Sequence, residues 1–267
     1  MSSHKNIETN GKFNTINYVK SKVLLFWAIS LVGACSPVLA QDLTAKPVGI
    51  YLFTEGGAAY MPNIGFQDYS VSFAFGGNTA SLGFSDLNVM TNLGYNFLGG
   101  VGYSFNDNLS LELEAGFISN SISGYSAQAN ASLNGSSVSA TGTVTLSGAS
   151  IQQIPICVNL VIMNPDLMIR PMVGIGFGVC PTTMDLGSYR LDLTSLGLGS
   201  GDVDLGSYSA TPFMFKLKAG MGYAFNKNCD IGLRVFANIL TGSDFGEGLK
   251  TDVYTVVGLN GNLTFRF

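Results

Sequence analysis

The sequence predicts an all-β fold, an eight-stranded antiparallel up-and-down barrel, and three observations predict it. Apolar and polar residues alternate over runs long enough to be strands. The gaps between these runs are by turns tight and long. Nearly every charge inside the runs falls on one parity, so each strand has one charged and one apolar face. With 46% apolar and only 11% charged residues, the chain is too apolar for disorder.

Residues 1–40 read as an N-terminal extension and secretory signal. Lys20 and Lys22 precede a short apolar core, Val23–Val32, and Val38-Leu39-Ala40 forms a small-residue cleavage site before Gln41. Val32-Gly33-Ala34-Cys35 also resembles a lipoprotein box, so acylation at Cys35 stands as the alternative to cleavage after Ala40. Residues 41–48 are expected to form a short periplasmic segment and 49–267 the barrel. Strands are expected near 49–61, 87–105, 109–119, 151–163, 167–181, 211–225, 229–240 and 252–267. Three gaps carry turn residues: Asn106–Asn108, Asn164–Asp166 and Asn226–Asn228. The other gaps, 62–86, 120–150, 184–210 and 241–251, are long and read as loops. Residues 119–150 are Ser-, Ala-, Gly-, Asn- and Thr-rich and carry no charge. The repeat Asp185–Tyr189 and Asp204–Tyr208 reads as a hairpin within its loop.

The charged face holds Glu55, Glu112, Glu114, Arg170, Lys216, Lys218, Arg234 and Arg266, together with many glycines. The opposite face reads Leu109, Leu111, Leu113, then Ile154, Ile156, Val158, Leu160, and continues so through later strands. A soluble barrel would turn the charges outward to water; a membrane barrel would turn them in and present the apolar face to lipid. Tyr103, Phe105, Tyr223, Phe225, Phe265 and Phe267 gather on the apolar face at the short-turn end, where an interfacial girdle belongs. Small glycine-rich side chains suit a narrow lumen. Both favour the transmembrane arrangement, with short periplasmic turns and long extracellular loops.

In its strand plan and in the runs Val101–Phe105, Leu109–Phe117, Gly220–Phe225 and Leu263–Phe267, the chain resembles small bacterial outer-membrane β-barrels. The resemblance is to the opacity-protein and outer-membrane-protein-A transmembrane-domain type. It implies residence in the bacterial outer membrane, contact with its lipid, and a C-terminal aromatic strand, Phe265 and Phe267, read as an assembly signal by the barrel-assembly machinery. The chain departs from the anchoring members in that no peptidoglycan-binding domain is read in it.

Catalytic chemistry is not expected. From Gln41 onward there is no histidine, since the single one is His4, and no Gly-x-Ser-x-Gly nucleophile motif. Asp185, Asp192, Asp202 and Asp204 do not follow the spacing of a calcium loop, so no metal or cofactor is predicted. The segment from Gln41 keeps 9 of the 13 Lys+Arg and 16 of the 17 Asp+Glu, a net charge of −7. The acidic loops disfavour nucleic acid as a partner. The lumen charges read first as an internal salt-bridge plug. Cys157 is expected opposite Val173, which would leave Cys157, Cys180 and Cys229 as free thiols. The leading expectation is a structural or surface-interaction, adhesin-like role through acidic and Ser/Gly-rich loops that meet an extracellular ligand or host surface. The alternatives are a small channel or conduit for small or hydrophobic solutes and a secreted soluble ligand-binding barrel.

Overall fold

The structure is a computed structural model that describes residues 48–75, 78–106, 108–133, 136–145, 148–163, 168–192, 200–204, 206–226, 228–246 and 249–267. The signal sequence, both cleavage alternatives and the Asn164–Asp166 turn therefore lie outside the described residues. In chain order the strands are β1 Gly49–Tyr60, β2 Ile64–Gly65, β3 Tyr69–Phe75, β4 Asn78–Thr91, β5 Gly94–Ser104 and β6 Leu109–Leu133. There follow β7 Ser136–Thr145, β8 Ser150–Gln153, β9 Ile156–Met163, β10 Ile169–Val179, β11 Thr182–Asp185 and β12 Ser188–Asp192. The last five are β13 Ser200–Asp204, β14 Ser207–Ala210, β15 Phe213–Asn226, β16 Cys229–Leu240 and β17 Tyr254–Arg266.

Eight of these, β1, β5, β6, β9, β10, β15, β16 and β17, pair in a closed antiparallel ring. The ring closes where β1 meets β17, from Tyr51 opposite Arg266 to Tyr60 opposite Val257. The Phe267 N–H donates to the Ile50 carbonyl at 3.1 Å and extends that seam. Closure leaves no unpaired edge in the wall, the condition for crossing a bilayer with strands. The tight turns close on themselves: Asn106 Oδ1 accepts from the N–H of Asn108 and of Leu109, and Asn226 Oδ1 accepts from the N–H of Asn228.

Burial settles which face points inward. Leu113, Ile162, Ile175, Phe177, Leu233 and many other apolar side chains stand exposed on the outside, Phe177 by 72%. All eight predicted charges are buried inside, none more than 7% exposed. A soluble protein rarely exposes an apolar patch beyond a few hundred Å², so this belt needs lipid. The soluble ligand-binding reading is thereby overturned, because its charges would face water.

Above the wall the chain departs from the expected plan. Three of the four gaps taken as loops, 62–86, 120–150 and 184–210, hold further strands, whereas the described part of 241–251 holds only the isolated bridges of Asp244 with Lys250 and of Thr251 with Phe66. β6 does not end near residue 119 but runs 25 residues, roughly 80 Å at strand rise. Its outer part pairs with β4 on one side and β7 on the other, and β3 joins β4. These segments were read as loops because their runs of Ser, Ala, Gly and Thr give no hydrophobic period. The expected strands at 167–181 and 211–225 correspond to β10 and β15, whereas those at 87–105 and 151–163 are each split, into β4 and β5 and into β8 and β9. Pro155 separates β8 from β9, Pro181 follows β10, and Pro212 precedes β15. Proline cannot donate to the ladder, but its carbonyl still accepts. Gly116 donates to Pro155, Ile154 to Pro181 and Cys180 to Pro212, at 3.1, 2.8 and 3.0 Å. The three breaks thus step across neighbouring strands. The hairpin read from the internal repeat is present: β12 pairs β13, and below it β11 pairs β14.

The cysteine register also differs. Cys157 stands opposite Gly178, not Val173, which puts Cys180 two residues along the neighbouring strand rather than seven. Directly opposed residues must share a face; Cys157 is buried whereas Val173 is exposed, so the earlier pairing was excluded by parity. Among the described residues no disulfide joins Cys157, Cys180 and Cys229, and all three are buried.

Candidate functional site: an ionic core within the barrel

Two strands supply most of the core through simple alternation. Glu112 and Glu114 on β6 both face inward, as do Lys216 and Lys218 on β15. β9 and β10 stand between them in the ring, so the lysines must reach across β10. They do so over glycine. A Cβ at Gly174 would lie 3.0 Å from Lys218 Cγ, and one at Gly176 would lie 2.1 Å from Asn159 Oδ1. Bulk here would close the path between lysine and glutamate.

The six central charges form an alternating chain. Lys216 bonds Glu114; Lys218 bonds Glu112 and lies 3.4 Å from Glu114. Arg234 lies 3.8 Å from Glu112 and 2.6 Å from Glu55. The order is Lys216, Glu114, Lys218, Glu112, Arg234, Glu55, three cations against three anions. Neutral neighbours fill remaining acceptors. Tyr51 donates its hydroxyl to Glu112 Oε1 at 2.9 Å, Asn260 Nδ2 to Glu55 at 3.2 Å, and Asn159 Nδ2 to Glu114 at 3.3 Å. Lys216 also lies over the Phe236 ring, and Lys218 and Arg234 over Phe53. Burying six charges is tolerable because each meets an opposite charge and further hydrogen bonds.

A second, smaller cluster lies at the periplasmic end. Asp230 bridges Arg170 at 2.9 Å and Arg266 at 2.5 Å, and Arg266 stacks on Tyr51 with its guanidinium 5.5 Å from the ring centre. Tyr51 in turn lies where Gly102 has no side chain: a Cβ there would meet the ring at 2.1 Å. Toward the outer rim the lumen turns apolar, with Met61, Leu98, Ile118, Met184, Leu240 and Val256 buried in one cluster. Polar centre, ionic floor and apolar cap thus fill the interior in layers.

The structure brings Glu55, Glu112, Glu114, Lys216, Lys218 and Arg234 into one network and sets Arg170 and Arg266 apart from it on Asp230. Asp230 was missed, although it shares the parity of Arg234 in the same strand. Tyr51, Asn159 and Asn260 were missed as well, being neutral. The cations and carboxylates of the core are engaged with one another, and the buried Cys157 thiol donates to Glu114 Oε1 at 3.7 Å. Among the described residues no three His, Cys, Asp or Glu side chains gather to hold a metal. Of the acidic loop residues, Asp68, Asp86, Asp185 and Asp252 are exposed, and Asp244 pairs with Lys250 at 3.7 Å. The side chains of Asp192, Asp202 and Asp204, and Glu247, lie outside the described set.

Comparison with known proteins agrees with this architecture. A family model described as outer membrane protein beta-barrel domain matches residues 56–267. No curated protein matches the chain in sequence. Among solved structures, Neisserial surface protein A is 12% identical over 82% of this chain and 97% of its own, with a TM-score of 0.47. The outer membrane protein OprG from Pseudomonas aeruginosa is 17% identical over 85% of this chain and all of its own, with a TM-score of 0.38. The outer membrane protease OmpT from Escherichia coli is 9% identical over 86% of this chain and 99% of its own, with a TM-score of 0.43. Likenesses this distant bear on neither ligand nor activity.

Proposed function

The chain belongs to the outer membrane protein β-barrel domain family and resides in the bacterial outer membrane, and from that premise we propose that it is a non-catalytic surface protein. Its filled barrel anchors a β-rich extracellular portion that makes the contacts. One observation carries this reading: β6 continues without a break from the wall into the sheet beyond the rim, while the lumen beside it is closed by paired charges and an apolar cap. Structure has been invested outside the membrane, and none of the lumen's charges is left free to conduct.

Planar-bilayer recording of the purified, refolded protein tests the reading. No stepwise conductance is expected from the wild type. Discrete steps that change with substitution of Lys216 or Glu114 would replace the surface reading with that of a channel. Insertion is proposed to depend on the C-terminal strand, with Phe265 and Phe267 as the signal for the assembly machinery.

A further inference from the structure

Outside the membrane, β3, β4, β6 and β7 make a four-stranded antiparallel sheet in the order β3-β4-β6-β7. β4 and β6 are paired on both sides. Among the described residues β7 is bonded to β6 alone. In an antiparallel ladder alternate residues turn their N–H and C=O away from the partner. A strand of 10 residues, Ser136–Thr145, therefore presents about half of its backbone groups at an open edge.

Proteins blunt such edges with lysine, proline, bulges or short length. β7 has none of these. It reads Ser-Ser-Val-Ser-Ala-Thr-Gly-Thr-Val-Thr, and its register with β6 is unbroken from Leu133 opposite Ser136 to Gly124 opposite Thr145. β3, the sheet's other outer strand, has only 7 residues. Charge points to the kind of partner. The segment from Gln41 carries a net charge of −7, yet residues 119–150 carry no charge at all. Two copies of this chain that repel elsewhere do not repel here.

We propose that the β7 edge pairs antiparallel with the β7 edge of a second copy standing in an apposed membrane. This rests on the surface-protein reading and supplies its partner. Two identical strands paired antiparallel are related by a two-fold axis perpendicular to both, and the interface is isologous. β6 runs outward from its periplasmic turn and β7 returns toward the barrel, so a copy related by that axis points its barrel the opposite way. A copy in the same membrane could offer β7 only in parallel, against the antiparallel pattern of the whole sheet. Pairing joins the two sheets into one of eight strands by strand addition. The partner is a second cell bearing the same protein.

The test uses two populations of bacteria carrying different fluorescent dyes, with the full-length protein expressed in one or in both. Mixed clumps are expected only when both populations express it. Expressing cells that gather non-expressing ones would overturn the proposal in favour of a different partner. Two charge variants then probe the edge itself, Thr141→Lys/Thr143→Lys and Thr141→Glu/Thr143→Glu. Each alone is expected to lower the clumped fraction at least tenfold, to the level of non-expressing cells. Mixing the lysine cells with the glutamate cells is expected to restore it. Boiling-dependent gel migration and surface protease sensitivity are expected to match wild type and so exclude a folding defect. Unchanged clumping in both variants, or no rescue on mixing, would refute the paired edge. Failure here with no bilayer conductance would leave the surface-protein reading standing, whereas conductance would remove that reading itself.

Discussion

Removing the carboxylate of Glu114 should destabilise the barrel in a way that removing its lysine as well largely repairs. Glu114 serves both Lys216 and Lys218, but Lys218 keeps Glu112. In Glu114→Gln, therefore, Lys216 is the cation left without a partner, 1% exposed, and the network becomes two anions against three cations. One stranded buried charge costs about 3–5 kcal/mol. Lys216→Met is milder, because Glu114 retains Lys218 at 3.4 Å and Asn159 at 3.3 Å; loss of one charged hydrogen bond costs about 1.5–3 kcal/mol. The double variant restores neutrality at two against two. Replacing a whole buried pair is often near neutral, so its cost should not exceed that of Lys216→Met alone. The assay is urea unfolding in lipid vesicles, with the folded fraction read from gel migration without boiling. Additive losses, within about 0.5 kcal/mol, would mean that the two residues do not interact and would refute the ionic core as drawn.

Three further outcomes are expected. Phe267→Ala should fold normally into detergent micelles, because the seam uses the Phe267 backbone and its side chain is 70% exposed; in cells its outer-membrane fraction should fall, and equal loss in both settings would point to stability instead of assembly. Gly102→Val should cost about 1–3 kcal/mol by overpacking, since its Cβ would meet the Tyr51 ring at 2.1 Å; Gly102→Val combined with Tyr51→Ala should recover part of that loss in the same unfolding assay. A water-soluble maleimide should leave Cys157, Cys180 and Cys229 unmodified in the folded protein, where none is more than 6% exposed, and label all three after denaturation; rapid labelling of Cys157 or Cys180 in the native state would show a lumen open to solvent.

The wall was legible because two constraints act on the same period. Lipid demands apolar side chains at every second position, and the narrow lumen demands small or paired polar ones between them. Glu112, Glu114, Lys216 and Lys218 could therefore be placed on one face from parity, and inward once the aromatic girdle and the small glycine-rich face favoured lipid outside. Which charge meets which was not legible, since that depends on stagger around the ring. Lys216 finds Glu114 across β9 and β10, 102 residues away in sequence. The same stagger displaced Cys157 from Val173 to Gly178. Asp230, the second residue of the expected strand 229–240, was left out of the charged face, although it holds both floor arginines. The outer strands escaped detection for a different reason. Most of residues 120–145 are Ser, Ala, Gly, Asn or Thr, and alternation carries information only where apolar and polar residues take turns.

β6 is also a mechanical element. On the proposed surface role, a pull on the outer sheet is applied along the length of this strand, parallel to its ladders with β5 and β9. Load in that direction shears many backbone hydrogen bonds at once, whereas load across a strand opens them one by one. From Leu109 to Ser119 β6 is clamped on both sides within the wall, so the tether is anchored by the membrane domain's own ladders. Drag from flowing liquid should then detach the sheet from its partner, or peel the outer strands at the proline steps, well before it draws the anchor from the bilayer.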